Sequence, residues 1–259
     1  MPFTPAHVAA VLPFMGRRRP RWAVPSALVI GAMVPDALYF VPVRGDRGFT
    51  HSLTGVVTLD LVLGLLAFAA WRLAVAPAAR DLAPTAVRER LPAPAVPRGR
   101  DWWWAAVCVV VGALTHVAWD AFTHWDGWVV RHLPVLREPL LGPLATYKVA
   151  QFASGVVGVL VVLWWVAKEL RRAPVTGDEP ARSSPAERAA VWVVLVAGPA
   201  LVALGSWAQQ LWSGAPAEVA AFVAVTRGIG AGGGLLLGVV LWWWLGAASR
   251  SRARSTSRV

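Results

Sequence analysis

Charged residues are scarce in this sequence. Only 15% of its 259 residues are charged, whereas 57% are hydrophobic. Soluble domains usually carry about a quarter charged residues, so the composition excludes an ordinary soluble domain. It indicates a protein that is embedded in a lipid bilayer.

Cysteine is almost absent. The single residue, Cys108, lies inside an apolar run, so the chain can form neither an internal disulfide nor a cysteine-based zinc site. We expect Cys108 to behave as a small buried hydrophobic residue.

Acidic residues are also few: there are 14, against 25 basic residues, and the formal net charge is +11. In a soluble protein this excess would suggest binding to nucleic acid. Here the arginines occur in short runs between apolar segments, so membrane topology explains them better. We therefore expect no nucleic-acid partner.

What the sequence has in abundance is long apolar stretches, and a helix needs about 20 apolar residues to cross a bilayer. Six stretches reach or approach that length: 22–41, 53–75, 102–122, 149–167, 190–211 and 221–245. A seventh, 3–15, is short and either crosses the membrane or lies at its surface. The sequence therefore predicts an all-α fold, a polytopic transmembrane helix bundle with about six full spans and a short N-terminal helix.

Two segments between these stretches, 76–100 and 171–189, are rich in proline, which opposes regular structure. We interpret both as flexible linkers. The predicted organisation is a membrane domain over 1–170 that carries the polar residues described below, a cytoplasmic linker over 171–189, two further transmembrane helices over 190–248 and a basic disordered tail over 249–259.

The distribution of lysine and arginine predicts the orientation. The side that faces the loop at 17–21 holds 19 of the 25 basic residues. Because short loops rich in Lys and Arg stay in the cytoplasm, that side is predicted to be cytoplasmic, together with the C-terminus. We expect a multi-pass protein of the cell inner or plasma membrane.

Ionisable residues gather at the opposite, extracytoplasmic end of the predicted spans. The direction of each span places four of them there: Asp36, His51, His116 and Asp120. His7 joins them if the stretch 3–15 crosses the membrane. Ionisable side chains at membrane depth are costly and usually functional, so we predict a shared polar site.

Spacing refines this prediction, because His116, Asp120 and His124 are four residues apart and lie on one helical face. We expect Gly127 to end that helix. The rise from His116 to His124 is about 12 Å, which is too long for all three to bind one ion. The third residue could contact a ligand, bind a second ion or act as a general base.

A site of histidine and carboxylate groups without cysteine favours a divalent metal, with zinc preferred and manganese or iron left open. Such an ion with an open coordination position activates water for attack on an ester or phosphoester.

Two further polar residues, Lys148 and Gln151, begin the next span on the same side. They are neighbours on a helix and are candidates for binding an anionic substrate, although Lys148 could instead extend its amine to the membrane surface. Asp126 and His132 lie in the preceding loop, where we expect them to be solvated.

Several motifs resemble the membrane family called domain of unknown function 4184, over about residues 1–165. They are Pro5-Ala6-His7, Val34-Pro35-Asp36, Thr50-His51-Ser52, the segment from Thr115 to His124, and Tyr147-Lys148-Val149-Ala150-Gln151. More remotely they resemble bacterial inner-membrane proteins described as membrane-bound metal-dependent hydrolases. That resemblance implies five metal ligands: His7, Asp36, His51, His116 and Asp120. The remote family has a second acid two residues after the first, where this chain has Leu38.

We therefore expect a metal-dependent, hydrolase-like membrane protein that acts on a lipid-like ester or phosphoester, with His124, Asp120 or Asp36 as proton acceptor. The alternative is a non-enzymatic membrane protein whose cluster stabilises helix packing or holds a metal structurally. A transporter fits less well, because its path needs polar residues through the full depth of the bundle. The sequence leaves the substrate and the oligomeric state open.

Overall fold

The computed structural model describes residues 4–16, 18–41, 45–175 and 181–256, with side chains described up to residue 246. Helices dominate this part of the chain, and its only strands are β1 (Pro139–Leu141) and β2 (Leu144–Ala145), which form one antiparallel pair. The predicted all-α fold is confirmed.

The helices follow one another through the chain with short connections. In order, the α-helices are α1 (Pro25–Gly31), α2 (Arg47–Thr50), α3 (Leu53–Gly55), α4 (Leu61–Ala70), α5 (Ala76–Leu82), α6 (Thr85–Arg88), α7 (Gly99–Thr123), α8 (Trp128–His132), α9 (Thr146–Arg172), α10 (Pro185–Trp212) and α11 (Ala217–Thr256). Three 3₁₀ helices cover Thr4–Phe14, Val34–Phe40 and Pro134–Arg137, and π-helical turns cover Val56–Asp60 and Trp71–Val75. The segment Thr4–Phe14 is called the N-terminal helix below.

Five helical runs among the described residues are long and apolar enough to cross a membrane. They are Leu53–Leu82, Gly99–His132, Thr146–Arg172, Pro185–Trp212 and Ala217–Gly246. Large apolar side chains on these runs, such as Leu53, Leu160 and Leu201, are exposed. The five runs indicate a multi-pass membrane protein in contact with lipid.

The first predicted span, 22–41, is not one continuous helix. α1 ends at Gly31, and the chain continues into the 3₁₀ helix Val34–Phe40. Pro35 explains the break, because proline lacks an N–H group and disfavours the α conformation in the residue before it. Asp36 therefore lies in a buried 3₁₀ turn and not within a long span.

The predicted linker at 76–100 is also wrong in part, because α5 and α6 occupy it. Pro77 lies in the first turn of α5, where the missing N–H group costs no hydrogen bond. At the other end, α11 continues to Thr256 and includes most of the tail for which disorder was predicted. Residues 257–259 lie outside the described residues.

The chain divides into two compact units. The first comprises Met1–Leu38, Val43–Trp71 and Val96–Arg172, and the second comprises Tyr39–Pro42, Arg72–Ala95 and Ala173–Val259. The first unit thus ends at Arg172 and leaves out 39–42 and 72–95.

In the first unit, α1 packs directly against α7. The contact depends on glycine: a Cβ atom on Gly112 would lie 2.6 Å from both the Ala32 nitrogen and the Leu28 carbonyl oxygen. Cys108 is fully buried nearby, as predicted, and its Sγ lies 3.3 Å from the Val24 nitrogen, which donates to it. This backbone contact brings the carbonyl of Ala32 beside the next turns of α7.

In the second unit, α5, α10 and α11 share an apolar core that includes Ala78, Val191 and Trp243. Asp81 ties this unit together: its carboxylate accepts hydrogen bonds from the Ser183 hydroxyl at 2.7 Å and the Trp243 indole at 2.8 Å. It also accepts from the backbone nitrogens of Arg182 and Ser183.

Candidate metal centre

Four buried or nearly buried side chains of the first unit converge on one point: Asp36, His51, His116 and Asp120. They come from three places in the chain: the 3₁₀ helix Val34–Phe40, the residue after α2, and two successive turns of α7. One ligating atom of each lies within 4.8 Å of those of the other three. The structure therefore brings together four of the five predicted metal ligands in a group that could hold an ion.

The spacing of these atoms suits a small divalent cation. His51 Nε2 lies 3.2 Å from Asp120 Oδ2 and 3.6 Å from Asp36 Oδ1. His116 Nε2 lies 3.6 Å and 3.7 Å from the same two oxygens. Ligand bonds of about 2.0–2.1 Å around a tetrahedral zinc place neighbouring ligand atoms about 3.3–3.4 Å apart. The four distances between histidine and carboxylate atoms are thus close to tetrahedral spacing.

Both histidines present an unoccupied nitrogen to this point. The Nδ1 atom of His116 lies 2.8 Å from the Ala32 carbonyl oxygen, and that of His51 lies 3.2 Å from the Arg47 carbonyl oxygen. A carbonyl can only accept, so the proton of a neutral His116 lies on Nδ1. The Nδ1 atom of His51 also lies 3.0 Å from the Thr50 hydroxyl. Among the described residues the two Nε2 atoms are buried without a hydrogen-bond partner. This arrangement is typical of histidines that bind metals.

The two carboxylates are held in place by residues outside the group. Thr4 Oγ1 donates to Asp36 Oδ2 at 2.6 Å. Arg47 donates from Nη2 to Asp120 Oδ2 at 2.9 Å, and from Nη1 to Asp126 Oδ2 at 2.6 Å. These contacts orient the carboxylates and place a permanent positive charge at the edge of the site.

The histidines differ in their affinity for protons. Burial acts to lower the pKa of His51, but the facing carboxylates of Asp120 and Asp36 outweigh it and raise the pKa to about 9. Burial and the neighbouring His116 lower the pKa of His7 to about 4. A proton on His51 or a bound cation therefore offsets negative charge of the two carboxylates, whereas His7 is neutral at pH 7.

His7, the fifth predicted ligand, lies beside the group. Its ring stacks on that of His116 with centroids 3.8 Å apart, and its Nε2 atom lies 3.5 Å from Asp120 Oδ1. The N-terminal helix therefore brings His7 to the cluster, as the prediction required, but on the opposite oxygen of Asp120 from His51.

His124 approaches the same oxygen from another direction. α7 ends at Thr123, so His124 is the first residue after the helix and not part of its last turn, and Gly127 precedes α8. The Nδ1 atom of His124 is still 3.2 Å from Asp120 Oδ1, and its Nε2 atom is 2.7 Å from the Gln151 amide nitrogen. Donation by that amide places the ring proton on Nδ1, facing Asp120.

A cavity of about 330 Å³ lies next to Asp120, between the N-terminal helix, α7 and α9. Gln151 contributes to its lining, but Lys148 does not; the Lys148 ammonium lies over the Phe152 ring, 5.3 Å from the ring centroid. Of the two predicted substrate-binding residues, the structure places only Gln151 beside the cavity.

The two loop residues Asp126 and His132 differ in their contacts. His132 is exposed, with its Nδ1 atom 2.7 Å from the Trp128 carbonyl oxygen and its ring centroid 4.4 Å from that of Trp128. Asp126 was expected to be solvated, but it pairs with Arg47, because the turn after α7 folds back toward α2.

Sequence reasoning missed three residues near the site: Thr4, Arg47 and Asp60. Asp60 is fully buried in the π-helical turn Val56–Asp60, and neither of its carboxylate oxygens has a hydrogen-bond partner among the described residues. The sequence did carry a signal for Asp60, because an acidic residue inside an apolar span is usually functional. Arg47 was counted only toward topology, and a lone threonine near a terminus gives no signal.

Comparison with known proteins places the chain in one family. No curated protein and no solved structure matches it. The family described as domain of unknown function (DUF4184) matches residues 1–244, which is most of the chain. The protein therefore belongs to the family of that domain of unknown function.

Proposed function

We propose that this protein is a membrane-embedded, metal-dependent hydrolase of lipid-like esters or phosphoesters, with its site formed by Asp36, His51, His116 and Asp120. The observation that carries the proposal is the pair of buried, unpartnered Nε2 atoms of His51 and His116, which face two carboxylates. The donor set of two imidazoles and two carboxylates without cysteine favours zinc, and also suits manganese or iron.

When bound, a divalent ion at such a site polarises an ester or phosphoryl oxygen and lowers the pKa of a coordinated water to about 7. The protein supplies the remaining functions. Asp120 Oδ1 is buried beside His7 and His124, and Asp120 lines the cavity, so Asp120 is the proposed proton acceptor. His124, whose two ring nitrogens face Asp120 and Gln151, acts as a positioning residue.

The proposed location is the inner or plasma membrane of the cell. The arginine-rich loops and the C-terminus face the cytoplasm in this proposal, since 19 of the 25 basic residues fall on one side of the predicted spans. The His/Asp cluster then opens to the extracytoplasmic side.

The alternative function is structural: the cluster, with or without an ion, stabilises helix packing. The pairing of Arg47 with both Asp120 and Asp126 supports this alternative, because ion pairs of this kind also hold helices together. The two functions differ in what is lost when a ligand is removed. A catalytic site loses turnover, whereas a structural site loses the fold.

The test is elemental analysis of the purified full-length protein, together with hydrolysis of p-nitrophenyl butyrate and bis-p-nitrophenyl phosphate. We expect the wild type to contain about one equivalent of a divalent metal and to hydrolyse one of the two compounds. His116→Ala should lose both properties while its thermal unfolding stays cooperative. His132→Ala is the matched control, because His132 is exposed, and it should behave as the wild type.

A wild-type protein without stoichiometric metal would overturn the proposal. A metal-containing wild type that hydrolyses neither compound, together with a His116→Ala variant that no longer folds, would establish the structural alternative instead.

A further inference from the structure

The cavity beside Asp120 changes in character along its length. At one end the lining is polar, with His7, Asp120, His124 and Gln151. At the other end it is apolar, with Ala9, Ala10, Val157 and Val161. A binding site with one polar end and one apolar end suits an amphiphilic molecule, and the polar end includes Asp120 of the candidate metal centre.

The order of residues along α9 gives the cavity a direction. Gln151 and Ser154 lie near the start of the helix, and Val157, Gly158 and Val161 follow toward its middle. From Gln151 to Val161 the helix rises by about 15 Å. That length is half of the roughly 30 Å hydrocarbon core of a bilayer, so the cavity has the reach of a single membrane leaflet.

The cavity is bordered by side chains that face the lipid. Trp119 and Val157 line it and are 49% and 58% exposed, and both belong to helices that can cross the membrane. A hydrocarbon chain can therefore enter sideways from the bilayer and need not pass through water.

Small residues make the room that such a chain needs. A Cβ atom on Gly158 would lie 2.8 Å from the Ala6 side chain, so α9 and the N-terminal helix touch at this point. Beyond it the N-terminal helix contributes only alanine methyl groups to the lining, Ala9 and Ala10. These small side chains leave room beside α9 for one unbranched hydrocarbon chain.

We propose that this cavity binds a single-chain amphiphile. Its ester or phosphoester end lies against Asp120, His124 and Gln151, and its hydrocarbon chain runs along α9 toward Val161. The inference rests on the proposed function only where it concerns hydrolysis of the ester or phosphoester end. The chain-binding part stands on the cavity alone.

The test uses dodecyl phosphate that carries a photoreactive diazirine at the end of its chain. The purified full-length protein in detergent micelles is irradiated with this probe, and the labelled peptides are identified by mass spectrometry. We expect labelling to concentrate in 6–10 and 155–161. Excess dodecyl phosphate or methyl dodecanoate should compete with the probe, and the better competitor shows which polar end the site prefers.

A matched pair of variants on α9 makes the test specific. Val161→Trp fills the apolar end of the cavity and should reduce labelling about tenfold, which corresponds to about 1.4 kcal/mol of binding free energy. Leu160→Trp adds the same group on the neighbouring position, which is 60% exposed and does not line the cavity. It should label as the wild type does.

Even labelling of all lipid-facing helices, equal effects of the two tryptophans, or failure of both competitors would overturn the inference. Labelling requires neither metal nor turnover, so its result is independent of the proposed function. A protein that contains metal but is not labelled in the cavity refutes only the chain site. A protein that is labelled there but contains no metal refutes only the hydrolase.

Discussion

Thr4 and Arg47 contact the carboxylates of the candidate metal centre without belonging to it. Each donates a hydrogen bond to one carboxylate oxygen: Thr4 to Asp36, and Arg47 to Asp120. Residues in such positions fix the orientation of ligands, and their loss typically lowers metal affinity by about 10- to 100-fold. The two contacts therefore provide a test of the centre that leaves all four ligands in place.

For Thr4→Val we expect metal affinity to fall by about 10- to 100-fold. The reason is that Asp36 loses its hydrogen bond of 2.6 Å and is free to turn away from the histidines. The measurement is a competition titration with a chelating dye. Thr58→Val is the control, because Thr58 is exposed and bonds only to the Thr54 carbonyl of its own helix; equal affinities in the two variants would contradict the prediction.

Residue spacing predicted part of this site and could not predict the rest. The separation of four between His116 and Asp120 places them on one helical face, and the structure places both in the group. The same argument extended the helix to His124, which lies just beyond its end. The contacts of Thr4 and Arg47 join residues 32 and 73 positions apart, and no local pattern reports such contacts.

At the scale of elements, the contact between α1 and α7 carries the site. Gly112 allows the backbones to touch, and Gly31 contacts the Val109 backbone from the other side. The Ala32 carbonyl, which follows α1, then meets the His116 ring one turn beyond Gly112. A small change in the distance between these helices therefore displaces a contact of the metal centre.

For Gly112→Ala we expect a loss of about 1–3 kcal/mol in the free energy of unfolding, together with weaker metal binding. The added methyl group would lie 2.6 Å from backbone atoms, which cannot rotate away. Thermal unfolding in detergent and the dye titration measure the two effects.

Gly205→Ala is the matched control for that variant. Gly205 lies inside α10, and a Cβ atom there would have no atom within 4 Å. Alanine is favoured over glycine in a helix by about 0.5–1 kcal/mol, so this variant should be neutral or slightly more stable. If Gly112→Ala unfolds at the same temperature as Gly205→Ala, the close contact is not important for stability.

Proline density misled the prediction of elements in two opposite ways. It suggested a linker at 76–100, where Pro77 instead begins a helix. The single proline Pro35 was given no weight, although it interrupts the first predicted span. Proline is tolerated in the first turn of a helix and disfavoured in its interior, so its position relative to the first turn influences its effect. That position is not visible before the helix boundaries are known.

At the scale of the whole molecule, every residue of the candidate centre and its cavity belongs to the first unit. The second unit has its own apolar core and its own polar contact at Asp81. Composition alone predicted a membrane-embedded helical protein, because scarce charge leaves few other folds. It could not predict the division into units, which depends on contacts between residues such as Asp81 and Trp243 that are 162 positions apart.

For Asp81→Ala we expect the protein to unfold at a lower temperature but to keep its metal. Removal of the carboxylate leaves the Ser183 hydroxyl and the Trp243 indole without their acceptor, which costs about 1–3 kcal/mol for each buried group. Elemental analysis below the unfolding temperature should still find the wild-type metal content. A folded variant that has lost its metal would show that the centre depends on the second unit.

The acceptor for the imidazole proton of His116 has a consequence for how this site tolerates mutation. It is the main-chain carbonyl of Ala32, and a carbonyl is present whichever amino acid occupies the position. The tautomer of His116 is therefore immune to side-chain replacement at residue 32, provided that the backbone keeps its path. In evolutionary terms, this position can drift in sequence while the chemistry of the imidazole is inherited through the fold.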